Sequence, residues 1–183
     1  MPLEEYKKKR DFRQTSEPAD GESSEGGNIF VIQKHDASRL HYDFRLEIGD
    51  VLVSWAVPKG PSTNPAEKRL AVMTEDHPIS YADFEGVIPE GQYGGGSVIV
   101  WDRGTYRSIK EKDMEEQLRD GHIEVWLEGE KLQGGYALIN SKLGGKEKNW
   151  LLVKMNDEKA DRRRNPVSTE PNSVLSGKTV EEI

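Results

Sequence analysis

Apolar and polar positions alternate without a break over Leu40–Ile48. Leu40, Tyr42, Phe44, Leu46 and Ile48 fall on one side of an extended chain, and His41, Asp43, Arg45 and Glu47 on the other. The apolar set requires a core beneath it, so the segment predicts a half-buried strand. Strands are also predicted at Ile29–His35, Val51–Val57, Leu70–Thr74, Ser97–Arg103, Ile123–Leu127, Gly135–Ser141 and Trp150–Met155. Ile48-Gly49-Asp50-Val51 has the chemistry of a tight hairpin turn. The single helical pattern is Lys112–Arg119, where Met114 and Leu118 stand four apart and Gly121 terminates the run. The expectation is a mainly β fold: a closed or nearly closed barrel of about eight strands with one or two short helices, which leaves no exposed sheet edge.

The two ends of the chain break this pattern. Tyr6-Lys7-Lys8-Lys9-Arg10-Asp11-Phe12 is a basic patch between aromatics, followed by a Gly/Ser/Glu-rich stretch from Thr15 to Asn28 without periodicity. Residues 1–28 therefore read as a flexible basic arm and linker, 29–156 as the barrel domain, and 157–183 as a loose polar tail containing Arg162-Arg163-Arg164. Spacing alone favours a solvated role for the arm.

Composition narrows the function. The 183-residue chain carries a formal net charge of −7, has no cysteine, and shows no membrane-length apolar run or apolar signal core at Met1–Phe12. A cytoplasmic location and no membrane partner are the expectation. Disulfides, thiolate metal sites and cysteine nucleophiles are excluded. An acidic balance argues against coating duplex DNA and leaves room for a local basic site acting on strand ends.

The polar face of Leu40–Ile48 offers such a site. His41 and Asp43 are one strand repeat apart, and Arg45 follows. His35 ends the preceding strand, and a turn at Asp36-Ala37-Ser38 would fold it beside them. Two imidazoles and a carboxylate suit Mn²⁺, Zn²⁺ or Fe²⁺, and a neighbouring arginine suits a phosphate. The plainer reading is a charged outer face with Asp43–Arg45 ion pairing, worth little if exposed. His77, held out of helical geometry by Pro78, could be a fourth ligand, a hydrogen-bond donor to a phosphate, a general acid or a turn cap. Lys59 sits in a stiff turn, and Arg69 follows Lys68 at a strand start; cations so placed are often merely solvated. Tyr81 could reach a phosphate oxygen, though core packing is the commoner fate of tyrosine. His122 reads as incidental. Gly91–Gly96 is not a phosphate loop, because no Gly-Lys-Ser/Thr follows and a strand comes next. No Gly-x-Ser-x-Gly is present either.

These residues also carry a resemblance. Phe30–Asp36 leading into Arg39–Arg45 resembles the 3′-phosphoesterase domain of bacterial ATP-dependent DNA ligase D. So do Ser54–Pro61, Glu75–Pro78 and Phe84–Gly91, in register from about Tyr6 to Met155. Archaea carry stand-alone versions, and the chain, lacking a Lys-x-Asp-Gly adenylation motif, looks stand-alone or like an excised domain. The resemblance implies a β-barrel with a curved outer groove and a Mn²⁺-dependent activity, with Co²⁺ or Zn²⁺ as substitutes. That activity would heal 3′ ends by removing a terminal ribonucleoside and then the remaining 3′-phosphate. It implies DNA or RNA–DNA primer–template ends as substrate, with an end-joining ligase, polymerase and Ku-type proteins as partners at the nucleoid. Carried onto this chain, His35, His41 and Asp43 would hold the metal. Arg45 and His77 would hold the phosphate, assisted by Lys59, Arg69 and Tyr81, and Arg10, Asp11 and Glu17 of the arm would join the site. Two rivals stay open: a non-haem Fe(II) oxygenase using His41, Asp43 and a distant His77 or His122, and a non-catalytic end-binding module.

Overall fold

The computed structural model describes residues 3–20 and 26–183. Nine strands run β1 Ile29–Asp36, β2 Leu40–Ile48, β3 Val51–Val57, β4 Lys68–Met73, β5 Gly86–Ile88, β6 Gly96–Ser108, β7 His122–Gly129, β8 Gln133–Asn140 and β9 Asn149–Lys154. Every pairing is antiparallel, in the order β1-β2-β3-β4-β9-β8-β7-β6, and β6 returns to β1 to close an eight-stranded barrel. The closed barrel predicted from the alternation is the fold. β5 is an extra strand on β6; at three residues it is too short for a periodicity to reveal.

β6 is nearly twice as long as the sequence pattern suggested, because it changes partners along its length. Its first half pairs with β5 and β1 and its second half with β7. Gly104 sits at the changeover, where a Cβ would lie 2.0 Å from the Glu128 carbonyl oxygen, so only glycine fits between the strands.

Two cores follow from the strand faces. Phe44, Leu46, Trp55, Trp101, Tyr136 and Trp150 fill the barrel interior. Their burial, at roughly 1.5–3 kcal/mol per large side chain, is the main favourable term of the fold. Outside the barrel, Val31, Leu52, Val98 and Val100 are equally buried beneath Tyr6, Tyr81, Phe84 and Ile88. Burial on both faces explains why Phe30-Val31-Ile32 and Val98-Ile99-Val100-Trp101 read as unbroken apolar runs.

The chain ends differ from expectation. Residues 3–20 of the arm are packed on the barrel: α1 (Glu4–Lys8) carries Tyr6, which is fully buried in the outer core. Gly21–Glu25, the heart of the predicted linker, lie outside the described residues. The C-terminal segment is not loose. The single proton of the Thr63 hydroxyl lies between the carbonyls of Asp161 (2.7 Å from Oγ1) and Arg164 (2.9 Å). Trp101 Nε1 (2.8 Å) and Lys131 Nζ (2.8 Å) both donate to the Glu170 carbonyl. Pro166 begins α3 (Pro166–Thr169), and Pro166 and Val180 are both buried. Backbone carbonyls do this anchoring, so a polar composition concealed it. The predicted helix forms as α2 (Met114–Asp120), ended by Gly121 in the left-handed region at φ 74°. Among the described residues no helix is long and apolar enough to cross a membrane.

Candidate metal and phosphate site

The β1–β2 hairpin pairs His35 directly with His41, and Gln33 with Asp43. Because side chains alternate, His35, His41 and Asp43 all leave the barrel on its outer face. One donor atom from each lies within 4.8 Å of the others. The second nitrogen of each imidazole is tied to a backbone carbonyl: His35 Nε2 to Gly94 at 2.6 Å and His41 Nδ1 to Arg39 at 3.1 Å. A carbonyl can only accept, so those nitrogens carry the protons of the neutral rings. His35 Nδ1 and His41 Nε2 are then left as lone pairs facing the Asp43 carboxylate, at 3.6 Å and at 3.2 Å from each oxygen respectively. Three acceptors facing one another need a cation among them, which a proton on His41, hydrogen-bonded to Asp43, or a metal ion supplies. The carbonyl-oriented imidazoles are also the usual support of metal-ligating histidines, so the residues present fit a divalent metal.

The titration behaviour agrees. Burial alone would raise the Asp43 pKa, but Arg45 and the two imidazoles overcome it and hold the carboxyl well below its ordinary range. Burial opposes protonation of His41, and the Asp43 hydrogen bond and charge outweigh it, so its pKa is raised.

Arg45 is buried beside this cluster and locked by its own bonds. Nε donates to Gln33 Oε1 (2.7 Å) and NH1 to Ser54 Oγ (2.9 Å), while NH2 stands 3.5 Å from Asp43. Across from it, His77 is fixed by a reciprocal backbone pair with Leu52, at 2.8 and 2.9 Å. Its Nδ1 lies 2.9 Å from the Glu75 carbonyl. Burial, Arg45 and Arg10 hold the His77 pKa well below its usual value, so the ring is neutral.

The arm completes the wall. Arg10 donates to Glu17 (3.0 Å), Glu75 (3.3 Å) and the Tyr6 carbonyl (3.0 Å). Lys9 reaches Glu75 at 3.3 Å, and the Tyr81 hydroxyl donates to Glu17 at 2.5 Å. Burial, reinforced by the Glu17 charge, keeps that phenol protonated. Arg10, His35, His41, Arg45, His77 and Tyr81 thus surround one cavity of about 360 Å³. Lys9, Arg10 and Arg45 are matched there by Glu17, Asp43 and Glu75.

Three expected residues stand elsewhere. Arg69 shares its strand face with Ala71, which is buried in the barrel interior, whereas Val72 pairs with Ala56 on the cavity face. The alternation therefore sends Arg69 away from the cavity. Lys59 lies just beyond the Tyr42–Val57 pair and is exposed outside the cavity. Asp11 is spent on Arg13 and Gln14 at the surface. Conversely, Gln33, Ser54, Glu75 and Lys9 were missed. Gln33 and Glu75 sit two residues before His35 and His77, so the alternation that found the histidines could have found them. The Gly94 carbonyl has no side-chain signal at all.

Fold and site together define a closed antiparallel β-barrel that carries a His-His-Asp cluster and a locked guanidinium on its outer face. Residues 33–140 match the family described as the DNA Ligase D 3′-phosphoesterase domain. The chain is 53% identical over 184 aligned positions to the multifunctional non-homologous end joining protein LigD of Pseudomonas aeruginosa, covering 98% of this chain and 22% of that protein. It is 49% identical to the Mycolicibacterium smegmatis protein of the same name (86% and 21%). It is 46% identical to the multifunctional non-homologous end joining DNA repair protein LigD of Mycobacterium tuberculosis (86% and 20%). The chain belongs to the DNA ligase D 3′-phosphoesterase domain family, and it spans about a fifth of the length of these relatives.

Proposed function

We propose that the chain is a Mn²⁺-dependent phosphoesterase that heals 3′ ends in double-strand break repair. It removes a terminal 3′-ribonucleoside from a primer strand, then the 3′-phosphate left behind, and delivers a 3′-OH for ligation. The observation that carries this reading is the pair of carbonyl-tethered imidazoles turned toward Asp43, with the Arg45 guanidinium alongside. His35, His41 and Asp43 would hold Mn²⁺; Co²⁺ or Zn²⁺ suits the same donors. When bound, the metal supplies charge to the phosphate oxygens and lowers the pKa of a water.

The chain's own groups do the rest. Arg45 has two of its nitrogens committed to Gln33 and Ser54, so its NH2 side is held ready for a phosphate oxygen without reorganisation. His77 is neutral while the cavity lacks an anion. A phosphate beside it offsets the Arg45 and Arg10 charges that disfavour its protonated form, so it can take up a proton and donate from Nε2. Glu17 and Glu75 hold Arg10 over the cavity. In the first reaction a water oxygen bonds to phosphorus, the P–O5′ bond breaks, and the nucleoside leaves with a proton on O5′. In the second, water displaces the primer O3′ and free phosphate departs. DNA or RNA–DNA primer–template ends are the substrate, and an end-joining ligase, polymerase and Ku-type proteins are the partners that share such ends at the nucleoid.

The test incubates the chain, stripped with chelator and resupplied with Mn²⁺, with a 3′-ribonucleotide and a 3′-phosphate primer–template. Strand length and free phosphate are followed. Expected are both products with metal, neither without, and loss of turnover and of Mn²⁺ binding in His41→Ala and Asp43→Ala with an unchanged circular dichroism spectrum. Turnover retained in either variant overturns the site. Strand-end binding without any product leaves the non-catalytic module, and iron- and oxygen-dependent turnover the oxygenase.

A further inference from the structure

A second cavity of about 620 Å³ opens beside the first, and the two share Ala37, Ser38, Ile88 and Gly94. Its volume is in the range of small-molecule sites. Its walls are the 91–96 loop, the Ala37–Ser38 turn, and Val87, Ile88 and Glu90. The two cavities differ in the groups that line them. The first is lined by two arginines and three histidines together with Asp43 and Glu75. The second holds no cationic side chain, and its one ionisable group is Glu90.

The glycines make this space. Gly91 (φ +91°) and Gly94 (φ +75°) hold backbone angles that side-chain-bearing residues rarely adopt, and a Cβ on Gly94 would press within 3.4 Å of His35. The loop therefore offers bare backbone to whatever enters. Its Gly94 carbonyl is also the group that orients His35, so an occupant sits directly against the metal cluster. Val87, on the extra strand β5, is 53% exposed.

A polyanionic strand running through a cation-free cavity past Glu90 would be desolvated and repelled. The uncharged part of a substrate would not. We propose that this cavity receives the terminal 3′-nucleoside, the leaving group of the first reaction, while its phosphate lies in the first cavity. This deepens the phosphoesterase reading and rests on it. In the first reaction the P–O5′ bond breaks at the junction of the two cavities and the neutral nucleoside leaves through the second. A 3′-phosphate end has no nucleoside beyond its phosphorus, so in the second reaction the second cavity holds only water. The two substrates thus separate the two cavities.

Val87→Trp and Glu90→Trp test this. Both positions are exposed and line only the second cavity, so an indole fills it without entering the core; thermal melting checks each fold. On a 3′-ribonucleotide primer–template, nucleoside release is expected to fall at least tenfold, with KM raised. On a 3′-phosphate primer–template, phosphate release is expected to stay within twofold of the parent. Unchanged nucleoside release in both folded variants overturns the inference, as does a parallel fall on both substrates. A parent chain that releases phosphate but never nucleoside also overturns it. A parent chain inactive on both substrates instead overturns the phosphoesterase reading itself.

Discussion

Replacing Tyr6 by alanine separates the arm from the barrel. Tyr6 has no solvent exposure. Its ring meets His77 at 5.1 Å and Tyr81 at 6.0 Å, Arg10 stacks on it at 3.9 Å, and its hydroxyl donates to the Pro18 carbonyl. Truncating a buried aromatic costs about 3–5 kcal/mol. Here the loss falls on a terminal segment that pairs with no barrel strand, so it acts on arm docking before it acts on global folding. At about 1.4 kcal/mol per tenfold, even the lower figure cuts the docked-to-undocked ratio more than 100-fold. With the arm released, Arg10 leaves Glu75, Tyr81 loses Glu17, and the site opens to water. Hydrogen exchange of arm amides and trypsin cleavage at the Lys7–Arg13 basic cluster measure docking, and thermal melting measures the barrel. The expectation is fast exchange and cleavage in the arm, turnover below about 1% of the parent by the range for lost preorganised charge, and a melting temperature within a few degrees. A protected arm with a melting temperature lowered by about 10 °C or more would refute the reasoning. Tyr6 would then belong to one cooperative unit with the barrel.

Arg45→Met leaves Gln33 Oε1 and Ser54 Oγ without their donors. At about 1–3 kcal/mol per orphaned buried group, we expect a urea-measured loss of about 2–6 kcal/mol and a fall in turnover of about 10²–10³-fold; Arg45→Lys should recover little of either, since an ammonium cannot serve that fork. Asp76→Asn tests electrostatics at the rim: burial first, then Glu5 and Glu75, push the Asp76 pKa from 3.8 to about 6. The folded state therefore holds its proton more tightly, and this group's stabilisation, full below pH 4, is lost as pH rises through about 6. Asp76 is half-buried, so screening trims the effect to about 1–2 kcal/mol; parent and Asn variant should converge at pH 4 and diverge by that amount at pH 7, and a constant offset across the range would contradict it.

The alternation that predicted the barrel also grouped His41, Asp43 and Arg45, because one period-2 rule decides which residues face the core and which face away from it. It joined His35 to His41 through the turn, and the structure pairs them. The same rule places Arg69 apart from that group. Arg69 was grouped with the site by resemblance, yet its register puts it on the face of Ala71, opposite to Val72, the partner of cavity-lining Ala56. Gln33 and Glu75 follow from the rule and were overlooked because neither carries a conspicuous chemistry alone; their work is to hold Arg45 and Arg10. What no pattern could supply is contact between distant segments. The arm reads as a solvated basic run because Glu17 and Glu75, which pair with Arg10, are separated from it by 7 and 65 positions. The C-terminal segment reads as loose because it is anchored partly through carbonyls, which every residue has, and partly through Asp157 and Ser173, whose partners Gly135, Lys154 and Glu85 no local pattern names. Local patterning therefore specifies the half of the site built on the barrel. The half built by the arm depends on a buried network of charges that is complete only when arm and barrel meet.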